Sequence, residues 1–251
     1  MTSPIIPGAE PLSHRGTTGH GVLVIHGFTG NPQSMRPLAE SCIQMGHSVE
    51  MPLLPGHGTQ VDDMIATSYQ DYFTSVTQSF GKLSQDCDSV AVCGLSMGGT
   101  LAINLALEEP SVAGLVLVNP LCEPPAESFL EILRSTLESG IETFEGIGSD
   151  IAKPGSMEMA YPQTPLRPLL TLFESVEKIS RRLDQITIPV LLFSSTQDHV
   201  VPPSNGDLLE RSVSGPIDRV LLENSYHVAT LDYDAEKIVQ EMTQFLTRVL
   251  L

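Results

Sequence analysis

Ser96 stands in the stretch Gly94-Leu95-Ser96-Met97-Gly98, with a further glycine at position 99. The spacing is G-x-S-x-G, at the point where small, β-prone residues give way to helix formers. A turn that tight needs neighbours without bulk, and the glycines supply them. An ordinary glycine-rich turn would use the same residues, so the rest of the chain has to decide. A neutral serine hydroxyl is a poor nucleophile and requires a base beside it. Of the seven histidines, His227 follows the last strand-like run, in NSYHVATLDYD, ahead of a closing helix. Asp198, in STQDHVVPP, lies just beyond another apolar run and could orient the imidazole. The order Ser, Asp, His is the one expected for a serine on a strand–turn–helix elbow. Asp232 and Asp234 are nearer to His227 but lead into the terminal helix, which makes them weaker candidates. His199 adjoins Asp198, so the two side chains point different ways, and it reads as a supporting or surface residue.

Acyl transfer also needs donors for a developing oxyanion. Backbone N–H groups supply these without reorganisation. Met97 follows the serine at the start of a helix, and Phe28 follows His26-Gly27 in HGFTGNP; these two are the expected donors. His26 and His57, the latter in LPGHGT, read as hydrogen-bonded braces of their turns.

Positioning such a set requires several elements that end at one edge. GVLVIHG (21–27), a short strand within HSVEMPLLPGHG (47–58), DSVAVCG (88–94), AGLVLVNP (113–120), IPVLLFSS (188–195) and IDRVLLENS read as strands. Helical patterns alternate with them over 32–46, 68–85, 97–109, PSNGDLLERSV and the amphipathic DAEKIVQEMTQFLTRVLL. Near-continuous Val/Leu/Ile strands alternating with helices predict a parallel sheet covered on both faces, an α/β class fold. Loops leaving the carboxyl ends of its strands would gather Ser96, Asp198 and His227. Few residues precede the first strong strand, which leaves little room for a β-hairpin. From about Leu121 to Leu183 the strand alternation stops, and glycines and prolines punctuate short helical pieces. That stretch is too long for a loop. It reads as a cap, residues 121–183, inserted into a core of residues 1–120 and 184–251.

Composition narrows the function. With 251 residues, 41% of them hydrophobic, the chain can bury a sizeable core. The formal charge of −17 opposes binding to nucleic acid, anionic membranes or polyanionic substrates. It leaves neutral esters open. No run is apolar enough to span a bilayer, and MTSPIIPGAEPLSHRG lacks the pattern of a signal peptide. A soluble cytoplasmic protein without integral membrane association is expected. Cys42, Cys87, Cys93 and Cys122 form no CxxC pair and no zinc-ligand spacing, so free thiols are expected, with no metal and no organic cofactor. No oligomeric state follows from these features.

Taken together, VLVIHGFTGNPQSMRPLAE, PLLPGHGT, GLSMGGTLA, DHVVPP and NSYHVATLDYD resemble the α/β-hydrolase superfamily. More narrowly, they look like the short bacterial carboxylesterases and monoacylglycerol lipases, over nearly the whole chain. The resemblance implies an ester hydrolase on a mostly parallel central sheet flanked by helices, with a helical cap. It implies Ser96, Asp198 and His227 as the triad and Phe28 and Met97 as oxyanion donors. By position, GIGSDI and MEMAY are similar to cap segments that line the acyl channel and meet the glycerol head. This points to Ile147 and Glu158; Ile147 is equally consistent with core packing, and Glu158 with a solvated helix residue. The substrate implied is a small neutral ester or a monoacylglycerol. Acyl transfer to an alcohol, and a non-catalytic relative that binds a ligand, are the alternatives.

Overall fold

The computed structural model describes residues 3–146 and 148–250. Two strands come first, β1 (Leu12–His14) and β2 (His20–Ile25). A 3₁₀ turn over Pro32–Met35 leads into α1 (Arg36–Gln44). β3 (Ser48–Met51), the short α2 (Val61–Ile65) and α3 (Tyr69–Asp86) follow. β4 (Ser89–Leu95) passes through Ser96 directly into α4 (Met97–Glu108), and β5 (Val112–Val118) succeeds it. An intervening stretch carries α5 (Glu127–Glu138), β6 (Thr143–Glu145), β7 (Gln163–Pro165) and α6 (Leu166–Ser180). β8 (Val190–Ser195), α7 (Ser204–Ser212), β9 (Ile217–Leu222) and α8 (Ala235–Val249) complete the chain.

The main sheet has seven strands in the order β1-β3-β2-β4-β5-β8-β9. Only β1 runs antiparallel, against β3; the other pairings are parallel. Successive residues of a strand point to opposite faces, and here both faces are buried. Leu23, Ile25, Leu115, Leu117 and Leu192 join one cluster with residues of α3, α4 and α6. Their neighbours Val22, Val24, Val116, Val118 and Phe193 join a second cluster with residues of α1 and α8. This explains why the strands read as uninterrupted apolar runs.

The stretch between β5 and β8 departs from the expected purely helical content. β6 and β7 pair antiparallel, with Phe144 opposite Thr164. Each strand is three residues long, too short for alternation to be visible in the sequence. α5 packs on α6 through a small cluster of Leu130, Leu133 and Leu166. α6 itself is built into the main body. Leu172, Val176 and Ile179 belong to the same buried cluster as α3 and α4.

The glycines around Ser96 are required by close backbone approach. A Cβ on Gly94 would collide with the Gly98 carbonyl, and one on Gly98 with the carbonyls of Ile25 and His26. A Cβ on Gly99 would lie 2.6 Å from the Pro120 Cβ. By contrast, a Cβ on Gly81, inside α3, meets nothing within 4 Å. Gly81→Ala should therefore raise unfolding stability by about 0.5–1 kcal/mol, through helix propensity. Gly98→Ala should lower it by about 2 kcal/mol or more, because backbone must move. Urea unfolding of both variants tests the pair; equal effects would contradict the packing described.

Candidate active site

Ser96 lies between β4 and α4 with φ 55° and ψ −119°, a region a non-glycine residue seldom occupies. Its N–H donates to the Val118 carbonyl at 3.0 Å, and its carbonyl accepts from Thr100 N at 3.1 Å. The serine is thus held from β5 on one side and from α4 on the other. Asp198 sits in the turn after β8. Its Oδ1 accepts from Val200 N at 2.8 Å and Val201 N at 2.7 Å. Its Oδ2 lies 2.7 Å from His227 Nδ1. An ionised carboxylate can only accept, so Nδ1 carries the proton and Nε2 keeps its lone pair. Both side chains are nearly inaccessible, His227 at 8% and Asp198 at 2%. Ser96 and His227 line one cavity of about 380 Å³, and Phe28 and Met97 also line it. Ser96, His227, Phe28 and Met97 thus share one cavity, and Asp198 meets His227 beside it.

The peptide between Gly27 and Phe28 is oriented by His26. The Gly27 carbonyl accepts from His26 Nδ1 at 2.9 Å, and His26 Nε2 accepts from Leu54 N at 3.2 Å. In a trans peptide the carbonyl and the next N–H point in opposite directions, so capturing the Gly27 oxygen sets where the Phe28 N–H aims. The hydroxyl of Thr29, itself at φ 60°, donates to the Phe28 carbonyl at 2.7 Å. Met97 is the first residue of α4, and its N–H is one of the helix-start donors without an intrahelical acceptor. His26 is fully buried, and desolvation holds it neutral, its pKa lowered to about 3. His57 packs edge-on against the rings of His26 and Tyr72, each at 5.0 Å. Its Nδ1 bonds the Pro55 carbonyl at 3.0 Å, and burial lowers its pKa to about 4. Both imidazoles are braces, as their turn contexts suggested.

The stretch between β5 and β8 contributes the apolar Phe129, Leu169, Leu172 and Phe173 and the polar Asp150, Glu158 and Tyr161 to the cavity lining, and the loop after β2 adds Thr29. Glu158 lies outside any helix. Its carboxyl is pushed above its ordinary value by burial, against the opposing pull of His227 and the Ser34 hydroxyl. A Cβ on Gly30 would come within 2.5 Å of its Oε1. Ile147 lies outside the described residues. Asp232 and Asp234 serve the backbone: Asp232 accepts from Ala152, Lys153 and Tyr226 N–H groups, and Asp234 from Asn224 N and Ser225 Oγ. His199 is exposed and bonds Asp150 at 2.8 Å. Cys42, Cys93 and Cys122 are buried free thiols. Among the described residues no cluster of side chains could hold a metal ion, and no helix is long and apolar enough to cross a membrane.

Two residues escaped the sequence reading. Asn119, at φ 44° just past β5, donates from Nδ2 to Ser195 Oγ at 2.9 Å and to the His227 carbonyl at 2.8 Å. Its place at a strand's carboxyl end was a usable signal. Asp150, in GSD, had none.

A parallel sheet of this order, with the serine elbow between β4 and α4, is the α/β-hydrolase fold. The Hydrolase_4 family profile, described as serine aminopeptidase, S33, matches residues 18–234. The thermostable monoacylglycerol lipase of Bacillus sp. (strain H-257) is 41% identical over 250 residues, covering 98% of this chain and 97% of that one. The carboxylesterase of Bacillus subtilis (strain 168) is 27% identical over 96% of this chain and 97% of its own length. A solved structure from work on LipS and LipT, two metagenome-derived lipolytic enzymes, superposes with a TM-score of 0.92 at 38% identity, covering 98% of this chain and 100% of that one. The chain belongs to this family of serine hydrolases, among the α/β-hydrolase carboxylesterases and monoacylglycerol lipases, and it is an enzyme.

The buried histidines give the fold a defined pH dependence. In the unfolded chain His26 and His57 take protons near pH 6.5, which the folded chain refuses until about 3 and 4. Their contribution is complete above pH 6.5 and is lost as pH falls through that window, by about 1.4 kcal/mol per group per pH unit. Tm should therefore drop more steeply between pH 6.5 and 4.5 in the parent than in His57→Gln. Parallel curves in thermal scans would remove His57 from the account.

Proposed function

We propose that the protein is a serine carboxylic ester hydrolase that cleaves monoacylglycerols and similar neutral single-chain esters. Ser96 Oγ attacks the ester carbonyl while His227 Nε2 takes its proton. Asp198 holds the imidazole and stabilises its cationic form. The carbonyl oxygen gains charge and is held by the Phe28 and Met97 N–H groups. The carbon–oxygen bond to the alcohol breaks, His227 returns the proton to that leaving oxygen, and an acyl-Ser96 ester remains. Water then attacks, giving a proton to His227, which passes it to Ser96 Oγ as the acyl–oxygen bond breaks and the fatty acid leaves. The observation that carries this reading is the Asp198–His227 pair at 2.7 Å opening on the same cavity as the strained serine.

Residues 121–183 serve as the cap over a core of 1–120 and 184–251. The substrate class follows from the two unlike walls. One acyl chain lies against Phe129, Leu169, Leu172 and Phe173, gaining about 0.8 kcal/mol per buried CH₂. The head group, with its free hydroxyls, meets the polar side, where Glu158 is the contact; Ile147 is assigned to the acyl channel by sequence position. The name of the 41%-identical Bacillus relative, a monoacylglycerol lipase, supports the same substrate.

Ser96→Ala and His227→Gln should each lower kcat at least about 10³-fold, with folding intact by circular dichroism. A folded Ser96→Ala variant with parental kcat would remove the nucleophile assignment. kcat/KM should fall from monooleoyl- to dioleoyl- to trioleoylglycerol in one detergent, because added chains replace the hydroxyls and leave polar groups unpaired. Gly30→Ala, whose methyl displaces the Glu158 carboxylate, and Glu158→Ala should both narrow the preference for the monoester. Equal rates on all three lipids in the parent would sink the confined-cavity reading, and an unchanged preference in both variants would release Glu158 from its role.

A further inference from the structure

Asp150 lies in the stretch between β5 and β8, yet its carboxylate is spent on the loops that carry Asp198 and His227. Oδ2 accepts from the His227 backbone N–H at 3.0 Å and from the His199 backbone N–H at 3.2 Å. Oδ1 lies 2.8 Å from His199 Nδ1, and the Asp150 carbonyl accepts from Val228 N at 3.1 Å. The side chain is 11% exposed. The histidine loop answers with a carboxylate of its own. Asp232 accepts from Ala152 N at 2.7 Å and Lys153 N at 2.9 Å, as well as from Tyr226 N. Residues 150–153 and the His227 loop therefore clasp one another from both sides.

We infer that Asp150 is a positioning residue for His227: through the His227 and Val228 backbone it fixes the base against Ser96, so that docking of the inserted segment and readiness of the base are one event. This rests on the reading of His227 as the base. Two backbone N–H donors, from His227 and His199, converge on Oδ2, while Oδ1 meets the His199 ring, whose Nδ1 can donate or accept according to tautomer. An amide can keep its oxygen on the two backbone donors only by turning its NH₂ toward His199. The consequence lies in rate. A base displaced by a fraction of an ångström slows proton transfer, whereas a short ester without free hydroxyls draws no hydrogen bond from the polar lining to which Asp150 contributes.

The measurement is kcat and KM of the full chain on p-nitrophenyl butyrate, a short ester that does not need the acyl wall. The rate of Ser96 labelling by a fluorophosphonate is read in parallel. Asp150→Ala should lower kcat and the labelling rate together, about 10- to 100-fold, with KM within about 2-fold of the parent. Asp150→Asn, which keeps one acceptor, should recover part of the loss and also covers the case in which the alanine variant does not fold. His199→Gln should keep more than half of the parental kcat, because the effect runs through the His227 backbone. Parental kcat in folded Asp150→Ala, a loss confined to KM, or an equal loss in His199→Gln would overturn the proposal. His227→Gln is the separating arm: if it retains activity, the base assignment fails and this proposal with it, whereas an inactive His227→Gln beside a fully active Asp150→Ala fails the clasp alone.

Discussion

The left-handed backbone of Ser96 is the constraint around which the molecule is arranged. A non-glycine residue held there costs about 1–3 kcal/mol and persists only where its surroundings over-determine it. Here they do so from three directions. Val118 and Thr100 hold its N–H and carbonyl, and the Leu121 N–H adds a bond to the same carbonyl at 3.4 Å. Gly98 presses on the backbone of β2, and Gly99 on Pro120. Among the described residues the other non-glycine positions with positive φ are Thr29 and Asn119, at 60° and 44°. One follows Phe28, and the other ties β5 to the His227 loop. Local strain is thus concentrated around the cavity that Ser96 and His227 share, and the two buried clusters on either side of the sheet are what sustain it.

The aspartates around the site are fasteners rather than free charges. Asp198 accepts from two backbone N–H groups of its own turn, and Asp150, Asp232 and Asp234 accept from backbone N–H groups farther off in the chain. A carboxylate that satisfies such donors can be buried in an acidic protein without neutralising itself, and the bonds are charge-assisted. Glu158 is different. It is supported by the Ser34 hydroxyl and the proximity of His227, and burial raises its pKa. This contrast accords with the proposed role of Glu158 as the contact for a polar ligand group in the cavity.

The sequence made the sheet legible because its strands are buried on both faces, so Val22–Ile25 and Val112–Val118 read as unbroken apolar runs. The serine, histidine and aspartate were legible because each is tied to a strand end, in an order with few alternatives. His26 and His57 were legible as braces from their Pro/Gly surroundings. What stayed hidden depends on distant partners. Asp150 gains meaning only when its loop folds onto His199 and His227. β6 and β7 are a three-residue ribbon formed between segments separated along the chain. Asn119 does its work through side-chain bonds to Ser195 and His227, which no local pattern encodes.

The stretch between β5 and β8 is unevenly anchored, and this bears on how the proposed site can treat different acyl chains. α6 sinks Leu172, Val176 and Ile179 into the same cluster as the central strands. Residues 150–153 are clasped to the His227 loop. α5 rests on the small cluster of Leu130, Leu133 and Leu166, and it leaves Phe129 40% and Ile132 55% exposed. Regions with few buried contacts open at lower free-energy cost than those joined to the core. By that measure α5 and the Phe129 side of the cavity, where the proposed acyl chain lies, are the more weakly held part of this stretch. The Ser96 elbow, the Asp198–His227 pair and the peptide bearing Phe28 N–H are fastened to the sheet. On the proposed function, a change in the shape of the acyl wall can then proceed without disturbing the geometry of these groups.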